Sequence, residues 1–98
     1  MNLSLDTIRN KYFIAIAENI NWDELNKLGR KLTLASNVVD EIISSNKDLF
    51  TKCIKLLDLW YQKLASKAKL QFLTTLLDEC GRGDINKKLQ KIKRDTSS

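Results

Sequence analysis

The chain has 98 residues, a formal net charge of +5, 43% apolar residues and 30% charged residues. That length predicts one domain, residues 1–98, able to stand on an ordinary hydrophobic core, and the composition excludes a disordered chain. There is no histidine, no CxxC pair, no apolar run as long as a membrane span, and no basic start with an apolar block at the N-terminus, so no metal, cofactor, membrane insertion or signal peptide is expected.

With no proline and three glycines, helices meet few breakers. Leu5, Ile8, Tyr12, Phe13, Ile16, Ala17 and Ile20 recur at helical spacing and predict a first helix from about Asp6 to Asn19, with Phe13 and Ile16 in its core face. Asn21 reads as an N-cap, with Glu24 three residues on as its reciprocal partner. The stripe Trp22, Leu25, Leu28 and Leu32 predicts a second helix, with Trp22 at its entry closing over the first as a core residue. Gly29 within this helix costs about 1 kcal/mol relative to alanine, so close approach of a neighbouring backbone is expected there. Ser36 is the expected cap of a short third helix carrying Val39, Ile42 and Ile43 inward and Asp40 and Glu41 outward.

The run Ser44-Ser45-Asn46 ends that helix, with Asn46 the expected cap of the next. The chain is organised around this fourth helix, Leu49 to Leu64. Its apolar residues Leu49, Cys53, Leu56, Leu57, Trp60 and Leu64 fall on one face, with Trp60 as the plug of a bundle, while Lys52, Lys55, Asp58 and Lys63 are expected to face water. Ser66 is the expected cap of a fifth helix whose stripe is Leu70, Leu73, Leu76, Leu77 and Cys80, and Gly81 its left-handed terminator. Asp84 is expected to cap a sixth helix carrying Ile85, Leu89 and Ile92. Residues 95–98 are expected to fray, leaving an ordered core of about 6–94. No strand-like alternation or repeat competes, so the expected fold is all-α, a six-helix antiparallel bundle.

Cys53 and Cys80 both fall on apolar stripes, which reads as reduced core residues in an intracellular chain rather than a disulfide. Catalysis finds no support: Asp78 and Glu79 are adjacent on a helix and splay apart, and there is no histidine, phosphate-binding glycine loop or nucleophile motif. Most of the positive charge lies from Arg82 onward, where Arg82, Lys87, Lys88, Lys91, Lys93 and Arg94 face only Asp84 and Asp95. Such a cluster fits an acidic protein, nucleic acid or an anionic membrane, and also an ordinary solvated lysine face. A basic helical nucleic-acid-binding module is therefore the alternative reading, with Asn86 and Gln90 as its candidate base-reading side chains.

Four fragments, in order, resemble the death domain family over about Tyr12 to Ile92. Trp22-x-x-Leu25-x-x-Leu28-Gly29-Arg30-x-Leu32 resembles its helix 2 region, Val39-x-x-Ile42 its helix 3, and Leu57-x-x-Trp60 its helix 4 tryptophan. Leu73-x-x-Leu76-Leu77-x-x-Cys80-Gly81-Arg82-x-Asp84-Ile85 resembles the run that links helices 5 and 6. Leu32-Thr33-Leu34-Ala35 departs from the family's frequent L-G-L-S, losing a common glycine and a common cap, and Leu76 stands where alanine is common. The Arg-x-Asp-Leu-Leu run of death-effector domains is missing.

The resemblance implies a six-helix bundle of the death-domain type, without catalytic activity, that works by homotypic association in the cytoplasm. Ending just past the sixth helix, the chain is most similar to the C-terminal death domain of a signalling adaptor, of the Fas-associated or the insect immune type. Implied partners are death domains of receptors, adaptors or kinases in apoptosis or innate immunity, in a homo- or hetero-oligomeric helical assembly. Family members associate through three surface pairs. The first would present Arg9, Lys11, Lys52, Lys55 and Asp58 on one side and Lys27, Arg30, Lys31, Asp40 and Glu41 on the other. The second would set Gln62, Lys63 and Lys67 against Arg82, Asp84 and Lys87. The third joins helix 3 to the helix 1–2 and 3–4 loops. Arg30 and Asp40 are singled out as partner contacts.

Overall fold

The computed structural model describes residues 4–64 and 70–97. Among them there are six helices and no strand: α1 (Ser4–Asn19), α2 (Trp22–Lys31), α3 (Ser36–Ser44), α4 (Leu49–Leu64), α5 (Leu70–Glu79) and α6 (Gly83–Ser97). The expected all-α bundle is therefore the fold, and α6 stays helical through Ser97, past the expected end at Arg94. Ser66 and Lys67 lie outside the described residues, as do the side chains of Leu5 and Ile8.

The core follows the helical stripes. Phe13, Ile16 and Ile20 of the α1 end, Leu25 and Leu28 of α2, and Val39 of α3 are all buried. So are Cys53, Leu56, Leu57 and Trp60 of α4, Leu73, Leu76 and Leu77 of α5, and Ile85 and Leu89 of α6. Helix α1 packs on α6 and on α4, α5 on α6, and α3 on α4, with α2 against both α3 and α4. Trp60 is 1% exposed and lies stacked at 6.0 Å from Phe72 and edge-on to Tyr61, whose ring meets Phe13 at 6.3 Å.

Two helix ends match their sequence signals. Asn21 Oδ1 accepts from the Glu24 amide at 2.8 Å while Glu24 Oε1 accepts from the Asn21 amide at 3.0 Å, a complete capping box. Gly81 has φ +74°, and the bonds Arg82 N to Leu77 O (2.8 Å) and Gly81 N to Asp78 O (3.0 Å) close α5 in a Schellman motif.

Three caps differ from expectation. Helix α3 begins at Ser36 itself, and the capping position is Ala35, which has no side-chain acceptor to offer. Asp48, not Asn46, starts α4: its Oδ1 accepts from the Thr51 amide at 2.8 Å and its carbonyl from the Lys52 amide at 3.0 Å. Asp84 lies inside the first turn of α6, whose first turn closes on the Arg82 carbonyl instead.

Two further expectations are corrected. Trp22 is 51% exposed rather than core: at the first position of α2 its ring lies against the Lys52 ammonium, while Glu24 and Leu25 of the same turn are buried. Gly29 is required by a side chain, not a backbone: a Cβ there would stand 2.7 Å from Val39 Cγ1 and 3.5 Å from Leu56 Cδ1. The α2–α3 turn also holds Thr33 at φ +59°, a left-handed conformation costly for a β-branched residue. Its Oγ1 donates to Leu32 O at 2.6 Å, and Lys63 Nζ donates to Thr33 O at 2.7 Å.

Candidate protein-binding surface

The charged residues separate into those engaged inside the domain and those left on its skin. Lys52 belongs to the first group, against expectation: it is only 6% exposed, its ammonium donates to the Ile43 carbonyl, and it lies 4.9 Å from the Trp22 ring centroid. Carbonyls in the last turn of a helix have no intrahelical donor, and Lys52 supplies one to α3 while its stem packs inside.

Arg82 is likewise turned inward. Its guanidinium donates to Glu24 Oε1, to Asn19 O at 2.9 Å, and through a fork to both Asp84 oxygens at 3.0 and 3.1 Å. One side chain thus fixes the end of α1, the start of α2 and the start of α6. The hydrogen-bonded guanidinium holds the Asp84 carboxyl below the usual carboxylate range, and Asp84 in turn raises Arg82. Arg82 and Asp84, expected to face a partner, are also paired with each other within the fold, with the Asp84 side chain still 60% exposed. Glu24, 8% exposed, takes part in both this network and the capping box. Asn86 is also buried, its amide donating to Thr74 O at 2.8 Å and Asp78 Oδ1 at 2.6 Å, so it is not the exposed base reader of the alternative reading.

Other candidates bridge elements at the surface. Arg9 sits 4.5 Å over the Tyr61 ring and donates to Asn10 Oδ1 at 3.3 Å. Lys31 pairs with Glu79 at 2.8 Å, and that hydrogen bond raises its pKa. Lys63 holds the Thr33 carbonyl. Lys88 donates to Asn19 Oδ1 at 3.0 Å.

Lys11, Lys27, Arg30, Asp40, Glu41, Lys55, Asp58, Gln62 and Lys87 are exposed. Among the described residues, the side chains of Lys27, Arg30, Asp40, Glu41, Lys55 and Asp58 make no hydrogen bond or ion pair. Three of these converge. Glu41 of α3 and Lys55 and Asp58 of α4 border an open groove of about 430 Å³ with an apolar floor of Val38, Ile42 and Leu59. The resemblance divided Glu41 from Lys55 and Asp58 between opposite halves of one interface; here they line one site.

Among the described residues, the adjacent acids and the two cysteines are engaged or buried in ways that do not pair them with a general base. Asp78 accepts from Asn86 and Glu79 from Lys31, which turns the neighbouring carboxylates apart. Cys53 is fully buried, which pushes its thiol up to about 12 and keeps it protonated. Cys80 is half-buried, and both cysteines are free. No described helix is long and apolar enough to cross a membrane.

Sequence reasoning missed Trp22 as a surface residue, Lys52 as a buried one, and the Arg82–Glu24 pair. Only the last had a local trace, the Gly81-Arg82-x-Asp84 fragment, and that trace did not point to Glu24.

No curated protein and no solved structure matches the chain significantly. A family model described as Death domain matches residues 10–93. That span runs from within α1 to the last turns of α6, so the buried core residues and the groove residues all fall inside it, and the chain belongs to the death domain family, whose members are non-catalytic modules of homotypic protein–protein signalling.

Proposed function

We propose that this chain is a non-catalytic adaptor module that binds other death domains and so assembles a signalling complex in the cytoplasm. The observation that carries the reading is the division of charge. Arg82, Lys52 and Glu24 are engaged within the fold, whereas Lys27, Arg30, Asp40, Glu41, Lys55 and Asp58 stand exposed on α2, α3 and α4. Mixed exposed charge supports salt-sensitive pairwise contacts of modest strength, and several such contacts per subunit give a switch-like assembly through avidity. The proposed setting is apoptosis or innate-immunity signalling, with a receptor, adaptor or kinase death domain as partner.

The test is capture of purified death-domain chains by the purified domain, with Arg30→Glu and Asp40→Lys as surface variants. Capture that weakens in both variants while their helical content stays native supports the reading. Failure to capture any death-domain chain, with tight salt-dependent binding to a nucleic-acid duplex instead, would overturn it in favour of the basic α6 stripe as the working surface.

A further inference from the structure

The α3–α4 groove has a defined chemistry. Its floor is apolar (Val38, Ile42, Leu59), and its border carries the acids Glu41 and Asp58 with the base Lys55 one turn before Asp58 on α4. A side chain that fills it should be aliphatic, with a cation on one side and an anion on the other.

This chain displays such a segment. Among the described residues, four large apolar side chains are exposed: Ile14, Trp22, Phe50 and Phe72. Trp22 already has the Lys52 ammonium over its ring, and Phe72 is stacked on Trp60. Phe50 stands at the start of α4, with Lys47 before the helix and no acid a turn after it. Ile14, 44% exposed on α1, has Lys11 one turn before it and Glu18 one turn after it, both exposed. Residues at this spacing form a single ridge, and Lys11 and Glu18 stand about 10 Å apart along the axis.

We infer that the groove receives the α1 ridge of a second copy of this chain. Ile14 seats on Ile42 and Leu59, Lys11 faces Glu41 and Asp58, and Glu18 faces Lys55. Ridge and groove are different surfaces of one molecule, so every copy carries both halves, and the contact can repeat from copy to copy. The inference rests on the homotypic reading above and gives it a partner and a register.

Sedimentation velocity on the purified chain at low and high salt tests it, over concentrations up to roughly 0.1 mM, where modest contacts become visible. The wild type is expected to self-associate at low salt and to dissociate at high salt. Ile14→Asp and Asp58→Lys are each expected to weaken association at least about tenfold. Both replace exposed residues, and circular dichroism should report native helix in each. A mixture of Lys11→Asp chains with Asp58→Lys chains is expected to associate again, because each supplies the charge the other now needs. A wild type that stays monomeric overturns the inference, as does self-association indifferent to these changes. A monomer that still captures another death-domain chain through Asp58 assigns the groove to a different occupant and leaves the homotypic reading standing. A monomer that captures none brings down both.

Discussion

The α2–α3 turn combines two local defects that the structure makes measurable. Thr33 is held at φ +59°, and Ala35 sits at the capping position of α3 without a side-chain acceptor. The left-handed conformation costs an L-residue roughly 1–2 kcal/mol, and a β-branched one is at the upper end. Glycine removes that strain but gives up about 0.5–1 kcal/mol to the freedom of the unfolded chain. It also loses the Oγ1 bond to Leu32 O, while keeping the carbonyl that Lys63 holds. The net expectation for Thr33→Gly is a gain of about 0.5–1 kcal/mol. Ala35→Ser adds an acceptor for an amide of the first turn, worth about 1 kcal/mol at an exposed cap. The residues share one turn, so their effects couple, and the double variant should gain about 1–2 kcal/mol, a rise of about 5–10 °C in Tm for a domain of this size. Urea unfolding followed by far-ultraviolet circular dichroism measures it. If Thr33→Gly unfolds at or below the wild-type midpoint, the strain assigned to Thr33 is wrong. If Ala35→Ser is neutral, water already satisfies that helix start.

Arg82→Ala leaves Glu24 largely buried without its cation and should lose about 2–3 kcal/mol, somewhat under the cost of breaking a fully buried pair, and Arg82→Lys should recover only part of it because an ammonium cannot span three elements; chemical denaturation decides both. Gly29→Ala drives a methyl into Val39 and should cost about 1–3 kcal/mol, partly restored when Val39→Ala is added; additive losses would contradict the clash. Trp60→Ala should cost about 3–5 kcal/mol, whereas Trp22→Ala removes mainly a half-exposed cation–π contact worth about 1 kcal/mol, and equal losses in urea titrations would refute the inside–outside assignment of the two indoles. The carboxyls of Asp84 and Asp48 are held low by Arg82 and by Thr51, so their stabilisation is complete above the ordinary aspartate range near about pH 4 and is lost as pH falls through their lowered values. Asp84→Asn should flatten the acid limb of Tm against pH, and an unchanged limb would speak against the pairing.

Periodicity alone was enough to place the six helices, because each has one apolar stripe and few breakers interrupt it. The Asn21–Glu24 box and the Gly81 terminator were equally legible, since both are settled within a few residues. What stayed hidden was set by contacts distant in the chain. Trp22 continues the stripe of Leu25, Leu28 and Leu32, yet it is half-exposed with its ring against the Lys52 ammonium. Lys52 reads as a solvent residue until the end of α3 supplies a carbonyl in need of a donor. Arg82 meets Glu24 across 58 residues of sequence, and Asn86 is drawn inward by Thr74 and Asp78. Of the candidate interface, the exposed charges of α2, α3 and α4 were legible as residues, but the gathering of Glu41, Lys55 and Asp58 around one groove was not. That depends on how α3 lies along α4, which no single helix encodes. The missing glycine and cap in Leu32-Thr33-Leu34-Ala35 were visible as departures from a pattern, and the backbone gives them their physical meaning.

The Arg82 guanidinium has a consequence for the order in which the chain matures. It joins the end of the first helix to the start of the second from 63 and 58 residues downstream of its partners there, and the first helix packs on the last. A nascent N-terminal half therefore has neither its neighbour nor its clasp, and it must wait, unlatched, for the C-terminal segment. Folding of this domain therefore waits until its sixth helix has been made, and a chain truncated before that helix is expected to be degraded rather than to persist as a weaker domain.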